Sequence, residues 1–407
     1  MFSDYTESGP SLLGDATQKL RGTFRLRNTN VTVANTIRRA ILTLTNSVGF
    51  RTEPYEKSEL VISVNTTPLV NEMISHRIGM IPIKADPAQF DPTLYEFRLD
   101  KQNTTKEMMD VHASDIEVFK LDKEKPLEPA VQVSTADFFP PDPITGDTVL
   151  ITRLRPQWNP TAPNEHLKLK ARACVSNGKE NIRWSPVCQA SYEYTRDPDE
   201  THRAEVFHAW VLANKKLDPT TLADEARGEL EREFQTMEVQ RCFLRDEKGE
   251  PNDFTFYVES VGVQSVRSIV LAGLQACEAL VTQYQDVDVR LPDNLTFQQG
   301  DSRFPSVDAV FANETHSLGN LLETFLVEQN IDGVAEPKLR YVGYKVPHPL
   351  RPEMFVRMDV RTSETEEVEA EVQVQRGRAA IANACRQLKA MFQSLQASWT
   401  KENLPSN

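Results

Sequence analysis

The sequence predicts an α+β chain of two similar modules, the first carrying an inserted, mainly β domain. Three features predict it: strand-like alternation interleaved with helical stripes, a short motif that occurs twice, and the same order of elements after each copy. The copies are "NTIRRAILTL" (35–44) and "HSLGNLLETF" (316–325). They align by residue type: Asn35 with His316, Thr36 with Ser317, Ile37 with Leu318, Ala40 with Leu321, Ile41 with Leu322. Each comes after a strand-like segment, and each module ends in a strand and a long amphipathic helix. Chance likeness of two helices would not repeat that flanking order. The two units are expected to pack about a pseudo-twofold axis, each burying the other's stripe as in an isologous dimer.

From the N-terminus, "TFRLRN" alternates as a strand and leads to the first motif helix, where Ile37, Ile41, Leu42 and Leu44 form a stripe flanked by Arg38 and Arg39. "LVISVN" is a further strand. In "NEMISHRIGMIPI" Glu72, His76 and Arg77 fall at one-turn spacing, suited to a local ion pair, and Gly79 reads as a left-handed stop before a strand "MIPI". "TVLITRL" and "KLKARACV" are strands, the second with Leu167, Leu169, Ala171 and Cys174 on one face. A turn-rich break at 193–203 precedes an exposed helix at 222–237. "FTFYVES" then leads to a helix at 263–285 with the stripe Val266, Ile269, Val270, Leu274, Cys277, Leu280, Val281 and Tyr284.

The stretch 291–303 has Pro, Gly and no sustained period, and reads as a linker. In the second module Gly319 and Asn320 stand early in the helix, where glycine costs about 1 kcal/mol relative to alanine, so close packing against another backbone is expected there. "KLRYVGYKV" is a strand, succeeded by a stiff loop in which His348 lies between Pro347 and Pro349. "MFVRMDVR" puts Met354, Val356, Met358 and Val360 on one face. The helix at 377–400 carries Ile381, Ala384, Leu388, Met391, Phe392, Leu395 and Trp399. The expected domains are 1–55 plus 241–290, an insert at 56–240, the linker 291–303, and 304–407.

Composition narrows the function. At 407 residues the chain has room for two or three cores, and no apolar run approaches the roughly 18 residues of a membrane helix. The polar, acidic start lacks the pattern of a signal peptide, so no secretory route is expected. Five scattered cysteines read as reduced thiols, with no metal-ligand spacing. A net charge of -13 opposes a main role in gripping DNA or RNA. No Gly-rich phosphate loop, nucleophile motif or metal-spaced set appears, so no catalytic residue, metal or cofactor is expected; an enzyme site hidden in the insert, or an independent adaptor, is the competing reading.

"NTIRRAIL" with "LVNEMISHRIGMIPI" (69–83) resembles the signature of the third subunit of nuclear RNA polymerase II, its archaeal D equivalent and the bacterial alpha subunit. "NIRWSPVCQASYEY" and "PNDFTFYVES" resemble that family's insert domain and the return from it. "ETHSLGNLLETFL" with "RYVGYKVPHPL" is similar to the eleventh subunit and its archaeal L equivalent, ordinarily a separate chain. The resemblance implies two alpha-like dimerisation modules forming an intramolecular pseudo-dimer rather than a homodimer. It implies a noncatalytic platform that recruits the largest and second-largest polymerase subunits, with small zinc-type assembly subunits as further partners. No membrane and no sequence-specific nucleic acid enter the expected partners. A fused pair resembles the polymerase subunit of large DNA viruses, implying host cytoplasm, viral factory and virion; a cellular source would imply the nucleus. Many relatives carry a cysteine cluster in the insert, whereas only Cys174 and Cys188 fall there.

The resemblance also implies roles for residues. Asn35, Arg38, Arg39, Glu72, His76 and Arg77 are expected to face the second-largest subunit, where guanidinium forks suit carboxylates and carbonyls. His316, Gly319, Asn320, Lys345 and His348 are expected against the largest subunit or the partner half. Ile37, Ile41, Val270, Leu274, Leu318, Leu322, Leu388 and Phe392 are expected to pack the pseudo-dimer.

Overall fold

The computed structural model describes residues 1–9, 20–121, 131–142, 145–157, 163–300, 305–363, 366 and 368–402. The chain opens with β1 (Phe2–Ser8), β2 (Arg21–Arg27) and α1 (Val31–Thr43), whose start is capped by Asn30 Oδ1 accepting from the Val33 N–H. It departs through β3 (Asn46–Phe50), β4 (Leu60–Asn65), α2 (Asn71–Gly79), β5 (Tyr95–Gln102), β6 (Met109–His112) and β7 (Glu117–Lys120). β8 (Val131–Val133), β9 (Leu150–Leu154), β10 (His166–Ala171) and β11 (Ala173–Asn177) complete that excursion. The chain returns as β12 (Val187–Tyr194), leaves again for α3 (Glu200–Trp210) and α4 (Asp224–Met237), and closes the module with β13 (Asp253–Ser260) and α5 (Val266–Thr282). The second module runs β14 (Leu295–Gln299), β15 (Val307–Ala312), α6 (His316–Leu326), β16 (Tyr341–Lys345), β17 (Glu353–Asp359) and α7 (Ala370–Glu402).

Both modules are antiparallel sheets with the same internal logic. The first sheet is ordered β1-β2-β13-β12 and the second β14-β15-β17-β16. In each, the strand before the motif helix pairs with the strand before the long helix. Alternation puts one face of each strand inward: Phe24 and Leu26 of β2, Phe254, Phe256 and Val258 of β13, and Met354, Val356 and Met358 of β17 are buried. Phe24 lies opposite Phe256 in register, with rings stacked at 5.0 Å. The two inward faces and the stripes of α1, α5, α6 and α7 merge into one apolar core. The fold is therefore α+β with two like modules sharing a core, and an inserted region with a core of its own. That region holds the five-stranded sheet β4-β10-β5-β7-β8, with the pairs β3-β11 and β6-β9 beside it.

Several expectations shift. The insert does not extend to residue 240, because β12 pairs along β13 and belongs to the first module's sheet. Beyond β12 the chain makes a second, smaller excursion, where α3 and α4 meet over Phe207, Trp210, Val211, Phe234 and Cys242. The 291–303 stretch is not all connector: Leu295–Gln299 pairs with β15 and Leu295 is buried, while 301–303 lie outside the described residues. The strand expected over "KLKARACV" breaks at Arg172 into β10 and β11, which belong to different sheets, and the buried residue after the break is Ala173 rather than Cys174. "MIPI" is an unpaired segment that buries Ile81 and Ile83 by alternation alone. Gly79 ends α2 in right-handed geometry; a Cβ there would lie 2.7 Å from Thr52 Oγ1 and collide with the Arg183 guanidinium, so glycine serves close approach rather than a left-handed stop.

Candidate assembly interface

The seam between the modules is built by four helices. Ile37, Ile41, Val270, Leu274, Leu318, Leu322, Leu388 and Phe392 are all buried in the shared core. A Cβ on Gly273 of α5 would stand 2.8 Å from Ile41 Cγ1 of α1, so these helices approach at backbone distance. Trp399 of α7 makes edge contacts with Phe2, Tyr5 and Phe24 at 5.0, 5.2 and 4.9 Å, and its Nε1 donates to the Arg267 carbonyl at 3.1 Å. The one polar atom of the indole is thus satisfied where the ring is buried.

A polar row runs along the antiparallel α1–α6 contact. Arg39 Nε donates to Ser317 Oγ at 2.5 Å, Thr32 and Thr324 share a hydroxyl bond of 3.0 Å, and Asn30 Nδ2 donates to Glu328 Oε1 at 3.1 Å. Asn320 Nδ2 reaches Thr32 Oγ1 at 3.4 Å. At the far end of the seam Tyr284 OH donates to Glu314 Oε1 at 3.0 Å and accepts from Asn294 Nδ2 at 2.8 Å. Burial raises the Glu314 carboxyl above the ordinary range, although the nearby Lys179 ammonium and the bonds from Tyr284 and Gln283 pull the other way. Burial likewise pushes the Cys385 thiol up to about 12 and raises Cys277, so both are inert apolar filling.

The residues expected on the docking faces separate into groups. Arg38 turns back on its own helix, with Nε and Nη2 donating to Asn35 Oδ1 at 3.1 and 2.9 Å. Arg39 points the other way and is engaged within the molecule, across the seam. Glu72, His76 and Arg77 are exposed on α2, whose Ile74 and Ile78 anchor it in the insert's core. The expected local ion pair is not formed: Arg77 Nη2 donates instead to the Leu150 carbonyl at 2.9 Å. Exposed Val70, Met73 and Met80 surround that face, an apolar surround invisible to a reading of charges alone.

In the second module His316 Nδ1 lies 3.3 Å from Tyr344 OH, and Lys345 and His348 are exposed, with His348 Nδ1 accepting from the Leu350 N–H at 3.1 Å. Gly319 packs against the Tyr344 ring of its own module, where a Cβ would lie 2.9 Å from Cγ, and not against a partner backbone. Tyr344 was missed by sequence reasoning; a glycine early in a helix is the signal for a bulky neighbour. Among the described residues no three His, Cys, Asp or Glu side chains are grouped to hold a metal, and no helix is long and apolar enough to cross a membrane.

A surface groove of about 870 Å³ was also missed. It runs between α1 and the second excursion and is lined by Asn35 and Arg38, Ala190–Tyr194, Arg196, and Met237, Glu238, Gln240, Arg241 and Phe243.

The comparisons with known proteins agree with this anatomy. The RNA polymerase Rpb3/Rpb11 dimerisation domain family matches twice, over residues 23–281 and 306–398. The chain is 27% identical over 273 residues to DNA-directed RNA polymerase subunit Rpo3 of Methanopyrus kandleri, covering 63% of this chain and 88% of that one. It is 28% identical over 225 residues to subunit 3 of DNA-directed RNA polymerases II, IV and V of Arabidopsis thaliana, covering 51% and 59%, respectively. It is 25% identical over 297 residues to subunit RPB3 of DNA-directed RNA polymerase II of Schizosaccharomyces pombe, covering 67% and 86%. With one match spanning more than half its length and a second on its other module, the chain belongs to the RNA polymerase Rpb3/Rpb11 dimerisation domain family and is an alpha-like RNA polymerase subunit.

Proposed function

We propose that this chain is a noncatalytic assembly platform of a DNA-directed RNA polymerase, in which a third-subunit-like and an eleventh-subunit-like module are fused. One observation carries the reading: two copies of a dimerisation domain, recognised separately, share a single apolar core within one polypeptide. Pairing is then intramolecular and independent of concentration, which removes the bimolecular step before larger subunits dock. The second-largest subunit docks on Asn35, Arg38 and the α2 face with Glu72, His76 and Arg77. The largest docks on the second module around His316, Lys345 and His348. Small zinc-type assembly subunits complete the set. A fused pair favours a large DNA virus as the source, with transcription in the host cytoplasm or viral factory and packaging in the virion.

The experiment is affinity purification of the tagged chain from its native source, with mass spectrometry. Recovery of two very large polymerase chains supports the platform. Charge reversal by Arg38→Glu together with Arg77→Glu is expected to abolish recovery of the second-largest chain. Arg39 is left out of that test, because its bond to Ser317 would confound docking with pairing. Unchanged recovery sinks the docking assignment.

A further inference from the structure

The 870 Å³ groove has a feature that a sheet face cannot produce. Five consecutive residues, Ala190, Ser191, Tyr192, Glu193 and Tyr194, all line it. Side chains of a strand alternate between the two faces, so neighbours in sequence line one cavity together only when it runs along the strand's edge. β12 is the last strand of its sheet, paired with β13 alone among the described residues. The groove therefore offers main-chain donors and acceptors of β12, with Asn35 and Arg38 of α1 also in its lining.

The walls add a preference. Arg38, Arg196 and Arg241 face two carboxylates, Glu193 and Glu238, and both carboxylates already have partners inside the chain. Glu193 Oε1 accepts from Tyr257 OH at 2.7 Å, and Glu238 pairs with Arg241. Arg38 has only the amide oxygen of Asn35, and neither it nor Arg196 has a carboxylate in ion-pair range among the described residues. The surplus is therefore positive and local, on a chain whose total charge of -13 repels acidic segments elsewhere. Aromatic side walls come from Tyr194 and Phe243, whose rings meet edge to face at 5.1 Å.

We infer that the groove captures an extended acidic segment of a polymerase partner by strand addition to β12, with Arg38 and Arg196 pairing its carboxylates. The second excursion adds Met237, Glu238, Gln240, Arg241 and Phe243 to the lining, so that a strand edge becomes a groove. This deepens the platform reading and rests on it. Main-chain bonds supply affinity and the two guanidiniums supply selection, the division of labour found in edge-strand recognition generally.

The test uses the full chain and a fluorescein-labelled peptide alternating valine or threonine with aspartate, read by anisotropy. Two control peptides replace the aspartates by asparagine, or a central residue by proline, which removes a main-chain donor. Each control is expected to bind at least about tenfold more weakly, and Arg196→Glu to weaken the acidic peptide about tenfold while Arg196→Lys keeps most of its binding. Equal binding of all three peptides, no binding at about 1 mM, or indifference to Arg196→Glu overturns the inference. Purification of the unsubstituted chain from its native source reads the platform without touching Arg38 or Arg196, so loss of one result leaves the other standing.

Discussion

Ile41 of α1 stands with Cγ1 2.8 Å from the point where a Cβ on Gly273 of α5 would lie, and both residues are buried at the seam. A larger side chain has nowhere to go but into the helix it faces. Gly273→Val is expected to destabilise the chain by about 2 kcal/mol through overpacking, even though glycine is the poorer helix former. Urea unfolding checks this; an unchanged midpoint would mean the helices can part freely.

Trp399 closes the core under β1. Trp399→Ala removes three ring contacts and the indole's bond to the Arg267 carbonyl, so a loss of about 3 to 5 kcal/mol is expected. Thermal unfolding of the variant against the parent measures it.

Arg38 and Arg39 are neighbours in sequence with different tasks. A double-mutant cycle of Arg39→Ala and Ser317→Ala is expected to give a coupling of about 1 kcal/mol, whereas Arg38→Ala with Ser317→Ala gives none beyond error. Chemical denaturation of the four chains in each cycle decides between them.

A protease site engineered into 301–303 would leave β14 on the first fragment and β15 on the second. Their ladder then becomes a tie between fragments, added to the four-helix seam. The fragments are expected to co-elute on size exclusion at about micromolar concentration. Separate peaks would show that the shared core depends on the covalent connection.

Glu314 gives a pH test. Its carboxyl is raised in the folded chain, so the native state holds the proton more tightly than the unfolded one. That contribution is complete below the ordinary value of 4.5 and is lost as pH rises through the raised value. Glu314→Gln keeps an acceptor for Tyr284 and removes the charge. The variant is expected to gain stability relative to the parent at pH 7 and to lose that advantage near pH 4, as read by urea titration at both pH values. A difference independent of pH would exclude the carboxyl as its source.

Periodicity carried the architecture well where burial is one-sided. The stripes of α5 and α7 and the alternation of β17 were legible because each buries one face and leaves the other wet. Alternation failed at Arg172, since β10 and β11 keep a strand pattern across a change of sheet that no local signal marks. By sequence β12 falls within the expected insert, because its return to the first sheet depends on pairing with β13, across an excursion of its own. The residues proposed for docking could be picked out as a family signature, but the direction of each side chain could not. Arg38 and Arg39 differ by one helical step, and only the position of α6 decides which of them faces the seam. The groove along β12 was invisible for the same reason: an edge is defined by what fails to pair with it.

The Phe2 N–H donates to Ser398 Oγ at 3.3 Å, and the rings of Phe2 and Trp399 meet in the core. A ribosome makes these groups in order, so β1 emerges early and the part of its apolar face that meets Trp399 stays uncovered until the last turns of α7 arrive. During synthesis the nascent polypeptide therefore carries a sticky pair of strands whose cover by Trp399 comes only with α7. Chaperone occupancy during translation should persist until that helix clears the exit tunnel, which ties the yield of this scaffold to the pace of its manufacture.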